Sequence, residues 1–360
     1  MVKNTYRAAT SSLFGYLSFF YVIFIVFASL YPFSGWRITT PDIFGYLSEP
    51  LDFSLLKYNK LDILFNFLAY IPLGILLVLT FRNIRFGMAA LFALCLSAAL
   101  SLCMEALQSL LPTRTSSTFD LIWNISGACI GIVMMGFSRL REFLVSQILH
   151  WRMRLFETGK LIDAGLILIL IWFLAQLMPE GGLFAVGDIE LLFPSDLSTL
   201  RPPEFFIIAE AVTAACYMVA LGTVCSFLFR HHLSRVVIFG IFVLTLVIKS
   251  IGFSLFFGVS EAFSWATPGA QMGLAIGTLC LMLTSFLPRR WQFTLGGITL
   301  LLGVVLVNFF PMNPYVSDSI RTWHPGNYVG LAGITRLASV SWPFLMFFYL
   351  YLYRRQRTIR

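Results

Sequence analysis

The chain has 360 residues, of which 58% are hydrophobic and only 12% are charged. Ordinary globular domains are about 25% charged, so this composition leaves too little charge to cover a water-exposed surface. It also excludes intrinsic disorder, collagen and a disulfide-dense secreted module. An integral membrane protein remains. In such a protein the net charge of +8 is expected to report orientation in the membrane, and no nucleic-acid partner is expected.

Apolar runs of about 20 residues, the length that crosses a bilayer, recur along the whole chain. They predict an all-α polytopic membrane protein with about ten transmembrane helices. The first run is longer than the apolar core of a signal peptide and therefore predicts an uncleaved helix. The predicted spans are 13–33, 61–81, 87–111, 119–137, 162–178, 204–229, 236–257, 270–287, 293–310 and 337–353.

Basic residues are unevenly distributed between the connecting segments. If the amino terminus is cytoplasmic, 17 of the 25 Lys and Arg residues lie in inner segments. Seven lie in outer loops, and Lys249 lies within a span. Because cytoplasmic loops are enriched in Lys and Arg, this distribution predicts that both termini are cytoplasmic.

A basic segment interrupts the apolar pattern and divides the chain into domains. We expect a four-helix transmembrane domain over 1–140 and a six-helix transmembrane domain over 162–360. The segment 141–161 between them mixes arginines with apolar residues, a pattern typical of an amphipathic stretch on the inner leaflet.

Polar residues within three predicted spans indicate a candidate site. A polar group inside a bilayer costs a few kcal/mol, so its position is informative. Residues three or four apart share a helix face. The polar faces consist of Asp62 and Asn66 in the second span, Ser97, Ser101, Glu105 and Gln108 in the third, and Asp120 and Asn124 in the fourth. Gly127 and Gly131 continue the last face and are expected to admit a neighbouring helix closely.

These faces lie at outer-leaflet depth beneath a loop that carries Arg114, so we expect one pocket that binds an anionic head group. Arg114 would be the charge contact, while Glu105 would orient the other groups or move a proton. The neutral hydrogen-bond donors would be Asn66, Gln108 and Asn124. In an enzyme, Glu105, Asp62 or Asp120 would be the general acid or base. The alternative is that these groups only bind one another and hold the helices together.

The ordered motifs resemble the VanZ-like family, a small bacterial membrane module named from a glycopeptide (teicoplanin) resistance determinant. The motifs are Asp62-x-x-x-Asn66-x-x-x-Tyr70-x-Pro72-Leu73-Gly74, Glu105-x-x-Gln108-x-x-x-Pro112-x-Arg114 and Asp120-x-x-x-Asn124-x-x-Gly127-x-x-x-Gly131. The resemblance covers about residues 10–140 and implies a four-to-five-helix fold in a bacterial cytoplasmic membrane. It further implies a role in the cell envelope or in antibiotic resistance. Residues 160–360 do not match this pattern.

The C-terminal half carries two charged residues at similar depth in successive spans, Glu210 and Lys249. An unpaired charge at that depth is costly, so we expect a structural ion pair between them. The chain contains no Walker motif, GxGxxG, HExxH, GxSxG or CxxC. We therefore expect no cofactor and no metal.

Three classes of function remain open. The first is a membrane protein that binds or modulates a lipid-linked envelope precursor or an amphiphilic glycopeptide. The second is a membrane-embedded enzyme that acts on a lipid-linked phosphate or sugar. The third is a transporter whose helices rearrange around Glu210 and Lys249. The expected partner in the first two classes is a membrane lipid or lipid-linked precursor, and the sequence leaves protein partners unknown.

Overall fold

The computed structural model describes residues 2–31, 33–37, 43–48, 60–112, 114, 116–157, 159–189, 202–229, 234–310 and 329–358. Within these helices, side chains are not described for 2–12, 60–62, 160, 234, 329–330 and 357–358. All structural statements below concern the described residues.

The described part of the chain contains eleven α-helices and no strand. Two short 3₁₀ turns, Gly45–Ser48 and Val259–Glu261, lie between helices. The helices are α1 Val2–Leu30, α2 Lys60–Thr80, α3 Phe86–Gln108, α4 Thr118–Gly136, α5 Ser138–Leu155, α6 Lys160–Gln176, α7 Pro203–Leu228, α8 Ser234–Phe257, α9 Pro268–Thr284, α10 Arg289–Phe309 and α11 Val329–Thr358.

Eight of these helices are long and apolar enough to cross a membrane, namely α1, α2, α3, α4, α7, α8, α10 and α11. The prediction of an all-α polytopic membrane protein is therefore confirmed. The other two predicted spans coincide with α6 and α9, which are apolar but have 17 residues each. That length is near the lower limit of about 17 residues for a span, so their crossing stays a prediction.

The ends of several helices differ from the predicted spans. Helix α1 begins at Val2 and α11 runs from Val329 to Thr358, well beyond the apolar runs 13–33 and 337–353. Helix α3 ends at Gln108, before the predicted limit of 111. Hydropathy reports where the chain is apolar, whereas backbone hydrogen bonding decides where a helix begins and ends.

Helix α5 covers most of the predicted basic connector 141–161 and begins three residues before it, and none of its residues is buried. Phe143, Ile148 and Trp151 are exposed. Arg152 and Arg154 occupy the last turn, where positive charge complements the helix dipole. Exposed apolar and basic side chains on one helix are typical of the membrane interface, and that placement of α5 stays a prediction.

The chain divides into two compact units. Unit 1 comprises Met1–His150 and Val329–Ile334, and unit 2 comprises Trp151–Tyr328 and Thr335–Arg360. The boundary at 150/151 lies inside the predicted connector 141–161. The short stretch Val329–Ile334 falls in unit 1, although the hydropathy pattern places it with the C-terminal domain.

Close packing of α2 against α4 organises unit 1. A Cβ atom at Gly127 would overlap the carbonyl oxygen of Phe67, and one at Gly131 would overlap that of Ile71. Glycine is therefore required for the two backbones to approach this closely. The expectation that these glycines admit a neighbouring helix is confirmed, and α2 is the helix that they admit.

The returning stretch Val329–Ile334 also packs tightly within unit 1. The ring of Tyr31, at the end of α1, lies against Gly333 and leaves no room for a Cβ atom there. Ala332 and Ile334 are buried. This stretch is therefore packed as part of unit 1.

Unit 2 is built around α7, most of whose residues are buried. Gly269, Gly273 and Gly277 of α9 pack directly against α7, since a Cβ atom at any of them would come within 3 Å of an α7 atom. Residues 177–189, which follow α6, are packed into this unit. Among them, Phe184 is fully buried and lies against Trp172, with ring centroids 5.8 Å apart.

Candidate functional site

Polar side chains of α2, α3 and α4 meet inside unit 1. We call this group the polar cluster, and it comprises Asn66, Tyr70, Ser97, Ser101, Glu105, Asp120 and Asn124. Ser97, Ser101 and Glu105 follow one face of α3, one turn apart, and none is more than 2% exposed. The three polar faces predicted from the sequence therefore meet in one bundle.

The contact between α2 and α4 joins an amide to a carboxylate. Asn66 Nδ2 donates a hydrogen bond to Asp120 Oδ1 at 2.8 Å. Asp120 lies in the first turn of α4, where the free N–H groups and the helix dipole favour negative charge. The amide of Asn66 is thus held by a charge-assisted hydrogen bond.

Glu105 completes the N-terminal cap of α4 from a different helix. Ser117 is the N-cap residue, and its Oγ accepts a hydrogen bond from the backbone N–H of Phe119. The backbone N–H of Ser117 donates to Glu105 Oε2 at 2.9 Å. In a capping box this N–H is bound by the third residue of the same helix, here Asp120, which binds Asn66 instead. Glu105 therefore fixes the entry to α4.

One turn further along, α3 and α4 are joined by a second pair. Asn124 Nδ2 donates to Ser101 Oγ at 3.0 Å, and both residues are buried. Tyr70 of α2 lies near Ser101 and Glu105, but its hydroxyl does not reach hydrogen-bonding geometry with either. The cluster thus has two successive polar layers, Asn66–Asp120–Glu105 and Tyr70–Asn124–Ser101.

Several buried polar atoms of this region have no hydrogen-bond partner among the described residues. They are Asn124 Oδ1, Tyr70 Oη, Ser97 Oγ and Tyr46 Oη. The exposed fraction of each of these four residues is 5% or less. Buried polar atoms in folded proteins are almost always hydrogen-bonded to protein or to water. The cluster and Tyr46 together therefore retain one amide oxygen and three hydroxyls that are able to bind a polar guest.

Tyr46 is a member of this region that the sequence analysis did not identify. It lies in the 3₁₀ turn Gly45–Ser48, and Thr118 Oγ1 donates to its carbonyl oxygen at 2.6 Å. Burial, and then the nearby Glu105 and Cys103, raise the pKa of Tyr46. The turn therefore places a neutral phenol beside Glu105. A tyrosine in a connecting loop is indistinguishable in sequence from an interfacial aromatic residue.

Gln108 and Arg114 bind the C-terminal end of α1. Gln108 Nε2 donates to the carbonyl oxygen of Ser29 at 3.0 Å. Arg114 Nη2 donates to the carbonyl oxygens of Ala28 and Tyr31 at 3.2 and 3.3 Å. The last carbonyls of a helix lack intrahelical partners, so both side chains stabilise the end of α1. The predicted contact of Arg114 with an anionic head group stays a prediction.

Asp62 is the remaining predicted member of the site. Its backbone belongs to α2, but its side chain lies outside the described residues. Its place in the pocket therefore stays a prediction.

In unit 2, Lys249 binds backbone carbonyls. Its Nζ donates to the carbonyl oxygens of Met178 and Gly181 at 2.6 and 2.7 Å, and the residue is 2% exposed. It also lies over the ring of Phe253, 5.7 Å from the centroid. A buried ammonium is thus compensated by two carbonyl dipoles of the segment that follows α6.

Glu210 lies within electrostatic range of Lys249 but forms no direct ion pair with it. The ion pairs within the described residues are Arg152–Asp163 and Arg336–Glu180. The Glu210 carboxylate lies instead beside Gly269 and Thr267, at the N-terminus of α9. The direct pair expected from the sequence is therefore not formed: Lys249 binds backbone carbonyls, whereas Glu210 lies at the N-terminus of α9.

Comparison with known proteins identifies the N-terminal part of the chain. Residues 14–139 match the family model VanZ/LLP1, in agreement with the resemblance over about 10–140. No curated protein and no solved structure matches the chain. The matched range contains the polar cluster, Gln108 and Arg114. Residues 14–139 of this multi-pass membrane protein are therefore similar to the VanZ/LLP1 family.

Proposed function

We propose that the polar cluster of unit 1 binds the polar head group of an amphiphile from the outer leaflet of a bacterial cytoplasmic membrane. In this role the protein binds or modulates a lipid-linked envelope precursor or an amphiphilic glycopeptide, and so acts in envelope assembly or antibiotic resistance. Both termini are cytoplasmic in this proposal, which makes the Glu105 end of α3 the outer end.

The observation that carries this proposal is the group of four buried polar atoms without partners. In a bilayer each unsatisfied polar group costs several kcal/mol, because no water is available to replace the missing hydrogen bond. If the cluster only held helices together, its polar atoms would be expected to form hydrogen bonds with one another. A bound head group or its water shell would satisfy Asn124 Oδ1 and the three hydroxyls together.

The cluster also extends along the outer half of α3. Glu105 and Ser97 are eight residues apart on α3, or about 12 Å along the helix axis. Ser97 is at the midpoint of α3. A guest that occupied the whole cluster would thus extend from the end of the helix to its middle.

The paired carboxylates favour a second candidate, an enzyme that acts on a lipid-linked phosphate or sugar. Glu105 and Asp120 are near enough to interact electrostatically, and such pairs divide acid and base roles in many enzymes. Glu105→Gln separates the candidates. An enzyme converts its lipid-linked substrate in the parent protein, and the variant binds that substrate without converting it. A binding protein yields no product from such a lipid with either Glu or Gln at position 105.

The test of head-group binding uses the atoms that have no partner. Tyr70→Phe and Ser97→Ala remove unsatisfied hydroxyls, so the thermal stability of the empty protein should stay the same or rise. Mass spectrometry of protein purified in neutral detergent should show at least about tenfold less co-purified lipid, the loss expected for about 1.4 kcal/mol.

Ser126→Ala is the matched control, because the Ser126 hydroxyl bonds to the Ile122 carbonyl of its own helix. It should change neither stability nor lipid content. If Tyr70→Phe and Ser97→Ala retain the lipid content of the parent protein, head-group binding at the cluster is wrong.

A further inference from the structure

The charge balance of the polar cluster indicates which kind of head group it binds. Glu105 is 2% exposed, and its carboxylate takes part in no ion pair within the described residues. Its one hydrogen bond comes from the neutral N–H of Ser117. A carboxylate buried this deeply is costly unless a cation or a proton compensates it.

The charged neighbours of Glu105 do not supply that compensation. Asp120 is the nearby charge and has the same sign. Arg114, the basic residue of the adjoining loop, donates to the carbonyls of Ala28 and Tyr31. A second carboxylate close to Glu105 argues against an anionic group of a guest at this position.

The atoms without partners match a donor-rich guest. Asn124 Oδ1 is a pure acceptor, 4% exposed and unpartnered, and it lies one turn of α4 from Asp120, about 6 Å along the axis. The hydroxyls of Tyr46 and Tyr70, both near Glu105, accept as well as donate. A primary ammonium carries three N–H donors and one positive charge.

We propose that the polar cluster binds the primary ammonium of an amphiphile, with Glu105 as the countercharge and Asn124 Oδ1 as a neutral acceptor. This inference rests on the proposed head-group function and names its ligand class. Phosphatidylethanolamine supplies such a group, and so does any single-chain or glycopeptide amphiphile with a free amine.

The experiment measures lipid binding to the full-length protein in neutral maltoside detergent by native mass spectrometry. The probes are dioctanoyl phosphatidylethanolamine, phosphatidylcholine and phosphatidylglycerol, with dodecylamine as a separate arm. The ethanolamine and choline lipids differ only in that three methyl groups replace the N–H donors. We expect the ethanolamine lipid to bind at least about tenfold more tightly than the other two phospholipids, the effect of losing a charge-assisted hydrogen bond.

Glu105→Gln keeps an acceptor for the Ser117 N–H and removes only the charge, so the variant is expected to fold. It should abolish the preference for the ethanolamine lipid. Glu142→Gln, an exposed carboxylate of α5, is the matched control and should keep that preference. Glu105-dependent binding of dodecylamine as tight as that of the ethanolamine lipid would show that the ammonium suffices, whereas much weaker binding would show that the phosphate contributes too.

Two results overturn the inference in different ways. If the choline or glycerol lipid binds as tightly as the ethanolamine lipid, or if Glu105→Gln keeps the preference, the ammonium assignment is wrong while head-group binding stands. If none of the four probes binds, and Tyr70→Phe leaves the co-purified lipid unchanged, both the inference and the proposed function are wrong.

Discussion

Replacing Lys249 with methionine removes the ammonium that binds the carbonyl oxygens of Met178 and Gly181. Hydrogen bonds to charged groups contribute about 1.5–3 kcal/mol each, so the two contribute about 3–6 kcal/mol together. Methionine is better tolerated in an apolar interior than an ammonium, which offsets part of this loss. We therefore expect Lys249→Met to lower the free energy of unfolding by about 2–4 kcal/mol.

A double-mutant cycle with Glu210→Gln then identifies the partner of Lys249. A direct buried pair predicts that removing both charges recovers most of the stability, since neither charge is left stranded. The carbonyl contacts predict that Lys249→Met destabilises the protein equally with Glu or Gln at position 210. We expect an interaction energy below about 1 kcal/mol, the remainder of a longer-range attraction.

The assay is equilibrium unfolding of the full-length protein in mixed micelles with increasing fraction of a denaturing detergent. Glu204→Gln, at an exposed position of the first turn of α7, is the control for loss of a carboxylate from the same helix. Recovery of stability in the double variant would refute the carbonyl assignment and restore the ion pair expected from the sequence.

Two further predictions concern packing and orientation. Gly127→Ala should destabilise unit 1 by about 1–3 kcal/mol, because its Cβ would overlap the carbonyl of Phe67. Gly87→Ala is the control, since a Cβ at that position meets no neighbouring atom. A thermal melt in which both variants match the parent protein would contradict the close packing. The orientation is tested with single cysteines in a background without the six native ones. A cysteine at Ser116 should react with an impermeant thiol reagent in intact cells, and one at Ser234 should not. The opposite labelling pattern would invert the predicted orientation.

The helical spans could be predicted from sequence because their signal is local. An apolar run of about 20 residues has few alternatives to a helix that crosses a bilayer. The polar faces of α3 and α4 could be predicted for the same reason, since residues four apart must share a face. The pairing of Asn124 with Ser101 follows once those two faces are packed together.

The partners of Arg114 and Lys249 could not be predicted, because both side chains bind backbone carbonyls far away in the chain. Carbonyl oxygens are present at every residue, so a sequence pattern does not distinguish the one that is bound. A positive charge near a polar face therefore suggested a phosphate, and a buried lysine suggested a carboxylate. In both cases the acceptors lie near the C-terminal end of a helix or in the segment that follows it.

The sequence separation between Tyr31 and Gly333 has a consequence for biosynthesis. The ring of Tyr31 packs against a residue that leaves the ribosome only after residues 151–328 have been made. During translation, therefore, α1 through α4 assemble with that part of their surface uncovered, and unit 1 is completed only when α11 has begun to emerge. Expression of residues 1–150 alone corresponds to this earlier stage, in which the end of α1 lacks one of its neighbours.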